Sequence, residues 1–293
     1  MDILVVQVLN SIFYASILFL IAAGLSLIYG VMRIVNLAHG SFYALGAYVT
    51  AWTIGTAAAG APISLMFLLL PAGALVVAAA GAVIEPTLLR PLYKRPEEYQ
   101  LLITFALLLI LEDVMHFVFG GMPLTAGVIM DATGQMRVMG LAYPVYNLVV
   151  IGIGIAAAVF LWAIIYRTKF GVMLRATSQD RRMASALGIN VGRVYVQAFA
   201  LGCFMAGLGG AIVVPSQAAQ LGMGVDALVM AFVVVVIGGL GSLEGALIGA
   251  LLVSFVRTAG IQFFPEAELA ALYLIAAVVL VIRPTGLFFV RSA

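Results

Sequence analysis

An all-α fold, a polytopic transmembrane helix bundle of about eight to ten spans, is what this sequence predicts, and three observations predict it. Of its 293 residues, 65% are hydrophobic and 9% charged, whereas a soluble domain is about half apolar and a quarter charged. Mean hydropathy is +1.22, so lipid rather than water is the main solvent. The apolar residues run in stretches of about twenty without strand-like alternation, so helices rather than a closed barrel satisfy the backbone inside lipid.

The first stretch, roughly 5–30, follows Met1-Asp2-Ile3-Leu4, which lacks the basic start of a cleaved leader and reads as a retained span. Further apolar stretches follow at roughly 36–58, 62–84, 99–120, 145–166, 194–214, 225–240, 243–258 and 267–283. They predict nine crossings and, over 1–293, a single transmembrane domain with no room for a second soluble one. Small residues three or four apart, Gly202, Ala206 and Gly210 and then Gly241, Gly245 and Gly249, predict closely approaching helices.

Basic residues gather at Arg90, Lys94 and Arg95, and again at Arg167, Lys169, Arg175, Arg181, Arg182 and Arg193. The excess of Lys and Arg on cytoplasmic loops places both clusters inside, with Arg283, Arg291 and the carboxyl terminus. The loop 121–144 is then external, as is the amino terminus if all nine stretches cross. The segment 167–193 is the long basic stretch most suited to meeting something soluble. Within it, 175–189 reads as a short amphipathic helix capped by Ser178 and ended by Gly188, with Met183, Ala184 and Leu187 on one face. Such a face fits a groove on a partner protein; a basic loop that only sets topology is the other reading.

Two glycine-rich breaks interrupt the apolar sequence. One runs Arg33-Ile34-Val35-Asn36-Leu37-Ala38-His39-Gly40-Ser41-Phe42, the other Gly238-Gly239-Leu240-Gly241-Ser242-Leu243-Glu244-Gly245. Free amides and a positive helix end at such a break favour an anionic group such as a substrate carboxylate, and Asn36, His39 and Ser41 add side-chain hydrogen bonds. The candidate solute path is therefore Asn36, His39, Gly40, Ser41, Gly238, Gly239, Gly241 and Ser242. The alternative is that Asn36 and Ser41 cap a helix while His39 packs. Glu112, Asp113 and His116 admit a proton or ion relay, or a structural pair between Glu112 and His116 four residues apart. Nothing in the sequence says whether Glu244 and Arg257 meet.

One cysteine, Cys203, offers neither a disulfide nor a cysteine-rich metal site. Neither lysine, Lys94 nor Lys169, follows a phosphate-binding glycine loop, so if ATP drives transport, another chain hydrolyses it. No catalytic residue, cofactor, metal site or nucleic-acid partner is expected in this chain.

Gly24-Leu25-Ser26-Leu27-Ile28-Tyr29-Gly30, Asn36-Leu37-Ala38-His39-Gly40-Ser41-Phe42 and Gly46-Ala47-Tyr48 together resemble the inner-membrane permeases of branched-chain amino acid ABC importers, on the LivH side of the LivH/LivM family. The likeness spans nearly the whole chain. Asp180, Met183, Ala184, Leu187, Gly188 and Ile189 look like the cytoplasmic coupling segment of that family, and Gly238-Gly239-Leu240-Gly241-Ser242 with Gly245-Ala246 resembles its late glycine motif; Glu244 departs from that motif. The resemblance implies a bacterial inner-membrane permease moving branched-chain amino acids by ATP-driven alternating access. It also implies a second permease of the LivM type, two cytoplasmic ATP-binding subunits that use ATP and Mg, and a periplasmic substrate-binding protein. Relatives that carry urea or short amides keep those cargoes open.

Two other classes compete. An ion-coupled secondary transporter would use Glu112, Asp113 and His116 and leave 167–193 idle. An intramembrane enzyme would use His39 and Ser41, but residues two apart on a helix do not face each other and no acidic partner orients them.

Overall fold

The computed structural model describes residues 2–56, 58, 60–263, 265–283 and 286–288; Arg291 lies outside the described residues. Among them are twelve α-helices and one two-stranded sheet: α1 (Asp2–Met32), α2 (His39–Thr56), α3 (Ile63–Ile84), α4 (Glu97–Phe119), α5 (Val128–Thr133), β1 (Gln135–Val138), β2 (Leu141–Pro144), α6 (Val145–Arg167), α7 (Lys169–Gln179), α8 (Arg181–Ala186), α9 (Val191–Val213), α10 (Met223–Gly238), α11 (Leu243–Phe263) and α12 (Glu268–Ile282). Each apolar stretch of the sequence falls mainly on one helix. By length and composition, six of these can cross a membrane: α1, α3 with its continuation to Leu92, α4, α6, α9 and α11. α10 and α12 are shorter apolar helices of 16 and 15 residues, and α2 is 18 residues rich in glycine and hydroxyl groups.

α9 is the centre of the bundle, packed on α1, α2 and α3. Its glycines let backbones touch. A Cβ on Gly24 of α1 would lie 2.5 Å from the Gly202 carbonyl oxygen, and one on Gly207 would lie 2.9 Å from the Val77 Cβ of α3. Without a hydrophobic force between helices in lipid, such close packing is what holds them together. The best apolar stretch of α1 is 83% buried and that of α4 only 17%, so α1 is core and α4 presents Leu102, Ile110 and Phe117 outward.

α3 does not stop at its last α-helical turn. It widens into a π-helical turn, Glu85–Leu89, and tightens into a 3₁₀ turn, Arg90–Leu92. Pro86 and Pro91 remove two amides from this stretch, so the regular hydrogen-bond ladder cannot run through it. The loop 121–144 is not structureless: it holds α5 and the β1–β2 hairpin, whose turn carries positive φ at Met139 (51°) and Gly140 (83°). Two such residues make the tight turn that matches strand twist. Leu124 and Ala219 exchange backbone hydrogen bonds at 2.9 and 2.7 Å, tying this loop to the segment after α9.

Candidate functional site

The basic segment is two helices rather than one. Thr168 caps α7, accepting the Gly171 amide at 3.1 Å. Asp180, in extended backbone, then breaks the run and caps α8, its Oδ1 accepting the amides of Arg182 at 2.8 Å and Met183 at 2.9 Å. Ser178 is therefore not the cap; its hydroxyl donates to the Arg175 carbonyl at 2.8 Å. A carboxylate accepting two amides at a helix start also meets the positive end of the helix dipole, so Asp180 wins. Gly188 ends α8 at φ +84°, and Ile189 donates back to the Ala184 carbonyl at 3.0 Å, a left-handed helix stop. The expected common face of Met183, Ala184 and Leu187 is split: Ala184 is buried, while Met183 and Leu187 are 57% and 73% exposed. Ala184 seats the helix and the two larger side chains form its outward tip.

Beneath that tip the two basic clusters meet. Glu85, fully buried in the π-helical turn after α3, receives the Arg90 guanidinium at 2.8 Å and the Tyr93 hydroxyl at 2.6 Å. Arg90 also donates to the Gly192 carbonyl at the start of α9, at 3.1 Å. The rings of Tyr93 and Tyr195 meet edge to face at 5.3 Å, and the guanidinium of Arg181, the first residue of α8, lies over both. Burial, and then the Glu85 carboxylate that it donates to, raise the Tyr93 phenol well above its ordinary value, so it keeps its proton. α3, α8 and α9 are thus joined through one carboxylate. Sequence reasoning missed this joint; its available signal was Glu85 standing as the lone acid between Asp2 and Glu97.

The first break is packed, not open. Asn36, His39 and Ser41 are buried. The Asn36 Oδ1 accepts the Ala38 amide at 3.1 Å, and the His39 Nε2 sits 3.0 Å from the Ile21 carbonyl oxygen, donating to it in the tautomer protonated there. Gly40 lies against the Gly224 carbonyl so closely that any Cβ on it would overlap that oxygen. α2, α1 and the start of α10 are therefore locked around the break. The second break closes differently. Ser242 caps α11 by accepting the Gly245 amide at 2.9 Å, Gly239 and Gly241 take positive φ of 112° and 82°, and Gly241 packs on Gly30 of α1. Gly238 and Ile237 lend their carbonyls to the amides of Phe288 and Leu287 at 3.0 and 2.9 Å.

Of the other polar candidates, Glu112 accepts the Gly222 amide, while Asp113 and His116 are exposed. Glu244 accepts the Tyr166 hydroxyl at 2.6 Å, and Arg257, toward the other end of α11, lies over the Tyr14 ring at 5.2 Å. These two charges do not meet.

The fold is that of a multi-pass helical membrane protein with an exposed two-residue tip beside its bundle. Residues 7–283 match the family described as the branched-chain amino acid transport system permease component, and the chain belongs to that family. The LivH permease of the high-affinity branched-chain amino acid transport system of Escherichia coli is 27% identical, over 96% of this chain and 94% of that one. The BraD permease of the corresponding Pseudomonas aeruginosa system is 28% identical over the same shares. PsaBC of Streptococcus pneumoniae, solved in complex with a Fab, superposes with a TM-score of 0.49 at 14% identity, over 93% of this chain and 89% of that chain.

Proposed function

We propose that this chain is the permease subunit of an ATP-driven importer of branched-chain amino acids in a bacterial inner membrane, its carboxyl terminus cytoplasmic. Its partners are a second permease of the LivM type, two cytoplasmic ATP-binding subunits that use ATP and Mg, and a periplasmic binding protein that supplies most of the selectivity. The carrying observation is the tip of α8. Met183 and Leu187 stand exposed on a short, doubly capped helix whose first residue is stacked onto the Glu85 joint. A groove on an ATP-binding subunit that grips this tip would move α3 and α9 with it.

In this reading the two breaks support the solute path rather than donating open hydrogen bonds to it. Asn36, His39, Gly40 and Ser41 hold α1, α2 and α10 in register, and Gly238, Gly239, Gly241 and Ser242 do so for α10, α11 and α1. Alternating access then requires these helices to shift as a unit.

The decisive experiment uses the assembled complex in vesicles. Leu187→Glu is expected to leave assembly and ATP hydrolysis in place while leucine uptake falls at least tenfold. Normal uptake by that variant would overturn the coupling role, and uptake of urea in place of leucine by the wild type would overturn the cargo.

A further inference from the structure

The Glu85 joint leaves space beside it. A cavity of about 460 Å³ opens there between the end of α3, α8 and the start of α9. Arg90, Arg181 and Arg182 line it, with Ser185 and the Tyr93 and Tyr195 rings. The fold already places two of these arginines: Glu85 and the Gly192 carbonyl hold Arg90, and the two rings lie beneath Arg181. The Arg182 side chain has no hydrogen bond, ion pair or ring contact among the described residues. The nearby acids are turned elsewhere, Glu85 buried behind Arg90 and Asp180 bonded to the amides of Arg182 and Met183. The lining is therefore cationic, with no carboxylate in it.

What leads up to this cavity is apolar. Leu75, Val76, Ala79 and Val83 of α3 are exposed at spacings of three and four, which puts them on one helix face running toward the turn that carries Arg90. From Val76 to Arg90 is about 21 Å of helix. That is half the thickness of a bilayer with its headgroups, roughly 40–45 Å in all, and so the depth of one lipid from phosphate to chain end. Guanidinium groups match phosphate oxygens in charge and in their forked geometry, and basic pockets between spans at a membrane surface take anionic headgroups. A free phosphate would use the arginines and leave the apolar face without a part.

We propose that this cavity holds the phosphate of one anionic phospholipid, whose acyl chains lie along Leu75, Val76, Ala79 and Val83. The headgroup links Arg181 and Arg182 of α8 to Arg90 at the end of α3. It thereby adds a second connection, across the cavity, to the one that Glu85 makes beneath it, and headgroup charge sets how firmly the six residues of α8 are seated. The site is independent of the solute carried.

The test uses the full chain with the subunits that co-purify, in phosphatidylcholine vesicles containing a trace of phosphatidylglycerol that bears a diazirine in one acyl chain. Irradiation is expected to label α3 peptides spanning Leu75 to Val83. Unlabelled phosphatidylglycerol should remove that label, and inorganic phosphate in the buffer should not. A phosphatidylcholine probe with the same diazirine chain should label these peptides at least fivefold less. Arg182→Gln should lower the phosphatidylglycerol label about fivefold, because one arginine beside an anionic headgroup is worth roughly that factor, and Arg182→Lys should restore most of it. The two-probe comparison needs only the wild-type protein, so a variant that misfolds does not shelter the proposal. Equal labelling by both probes, label absent from α3, or equal loss in the glutamine and lysine variants overturns it. Removal of label by inorganic phosphate makes the ligand a free anion and overturns the lipid. Label that appears only after ATP-binding subunits are stripped away gives the cavity to an acidic side chain of theirs, and overturns the lipid too.

Discussion

The joint at Glu85 and the break at His39 are both buried polar clusters inside an apolar bundle, and they are held by opposite means. At the joint each carboxylate oxygen has a donor, from Arg90 and from Tyr93, and Arg181 covers the rings above. At the break, the Asn36 Nδ2 and the His39 Nδ1 are buried without a hydrogen-bond partner among the described residues, and what closes the structure is backbone against backbone at Gly40 and Gly24. The joint is therefore sensitive to chemistry and tolerant of small changes in volume. The break is sensitive to volume and tolerant of chemistry. A polar network with all members satisfied is stiff, and losing one member exposes the rest; a glycine contact has no such members, only space.

That contrast is open to direct attack, beginning with the largest effect. Gly40→Val places a branched side chain in the Gly224 carbonyl, and the yield of monodisperse protein on size-exclusion chromatography should fall at least tenfold. Wild-type yield would mean that α10 is free to retreat and that the break is not volume-limited. Glu85→Ala should come next, lowering stability by about 3 kcal/mol, because it strands Arg90 and Tyr93 at once; thermal unfolding in mild detergent reads this. Tyr93→Phe removes one hydrogen bond to the carboxylate and should cost about 2 kcal/mol. Combined with Glu85→Ala it should add almost nothing, because the two changes delete the same interaction. The smallest effect belongs to His39→Gln, which keeps an amide donor for the Ile21 carbonyl and should cost under about 1 kcal/mol. If His39→Gln proves more damaging than Glu85→Ala, the contrast is inverted and the break is the stricter polar site.

These two regions also differ in how far they could be read in advance. Gly188 was legible as a helix stop, because a left-handed stop is a local property of one residue. Ser178 was the expected cap, and Asp180 takes that place. Both residue types cap helices well, and the choice turns on which backbone turns extended. The helices themselves follow from twenty-residue apolar stretches, but α2, α10 and α12 are short because breaks and polar turns trim them, which hydropathy alone does not measure. The hairpin in 121–144 was hidden because a methionine, Met139, takes a positive φ usually left to asparagine or glycine. The Glu85 joint was beyond reach in sequence: its members Glu85, Tyr93, Arg181 and Tyr195 lie on three separate elements, and neighbours along the chain do not announce them. Asn36, His39 and Gly40 were visible as unusual residues in an apolar run, yet only the packing distinguishes a polar lining from a buried latch.

The carboxyl-terminal amides of Leu287 and Phe288, which donate to Ile237 and Gly238, carry a practical lesson for anyone handling this protein. They act as a strap across the exit of α10. Trimming the chain before Gly286 would leave two carbonyls at that exit without donors and let the last turn of α10 fray, and a bulky fusion attached just after Phe288 would pull on the same strap. Affinity tags are better carried on the amino-terminal side, where α1 begins with exposed Ile3 and Leu4.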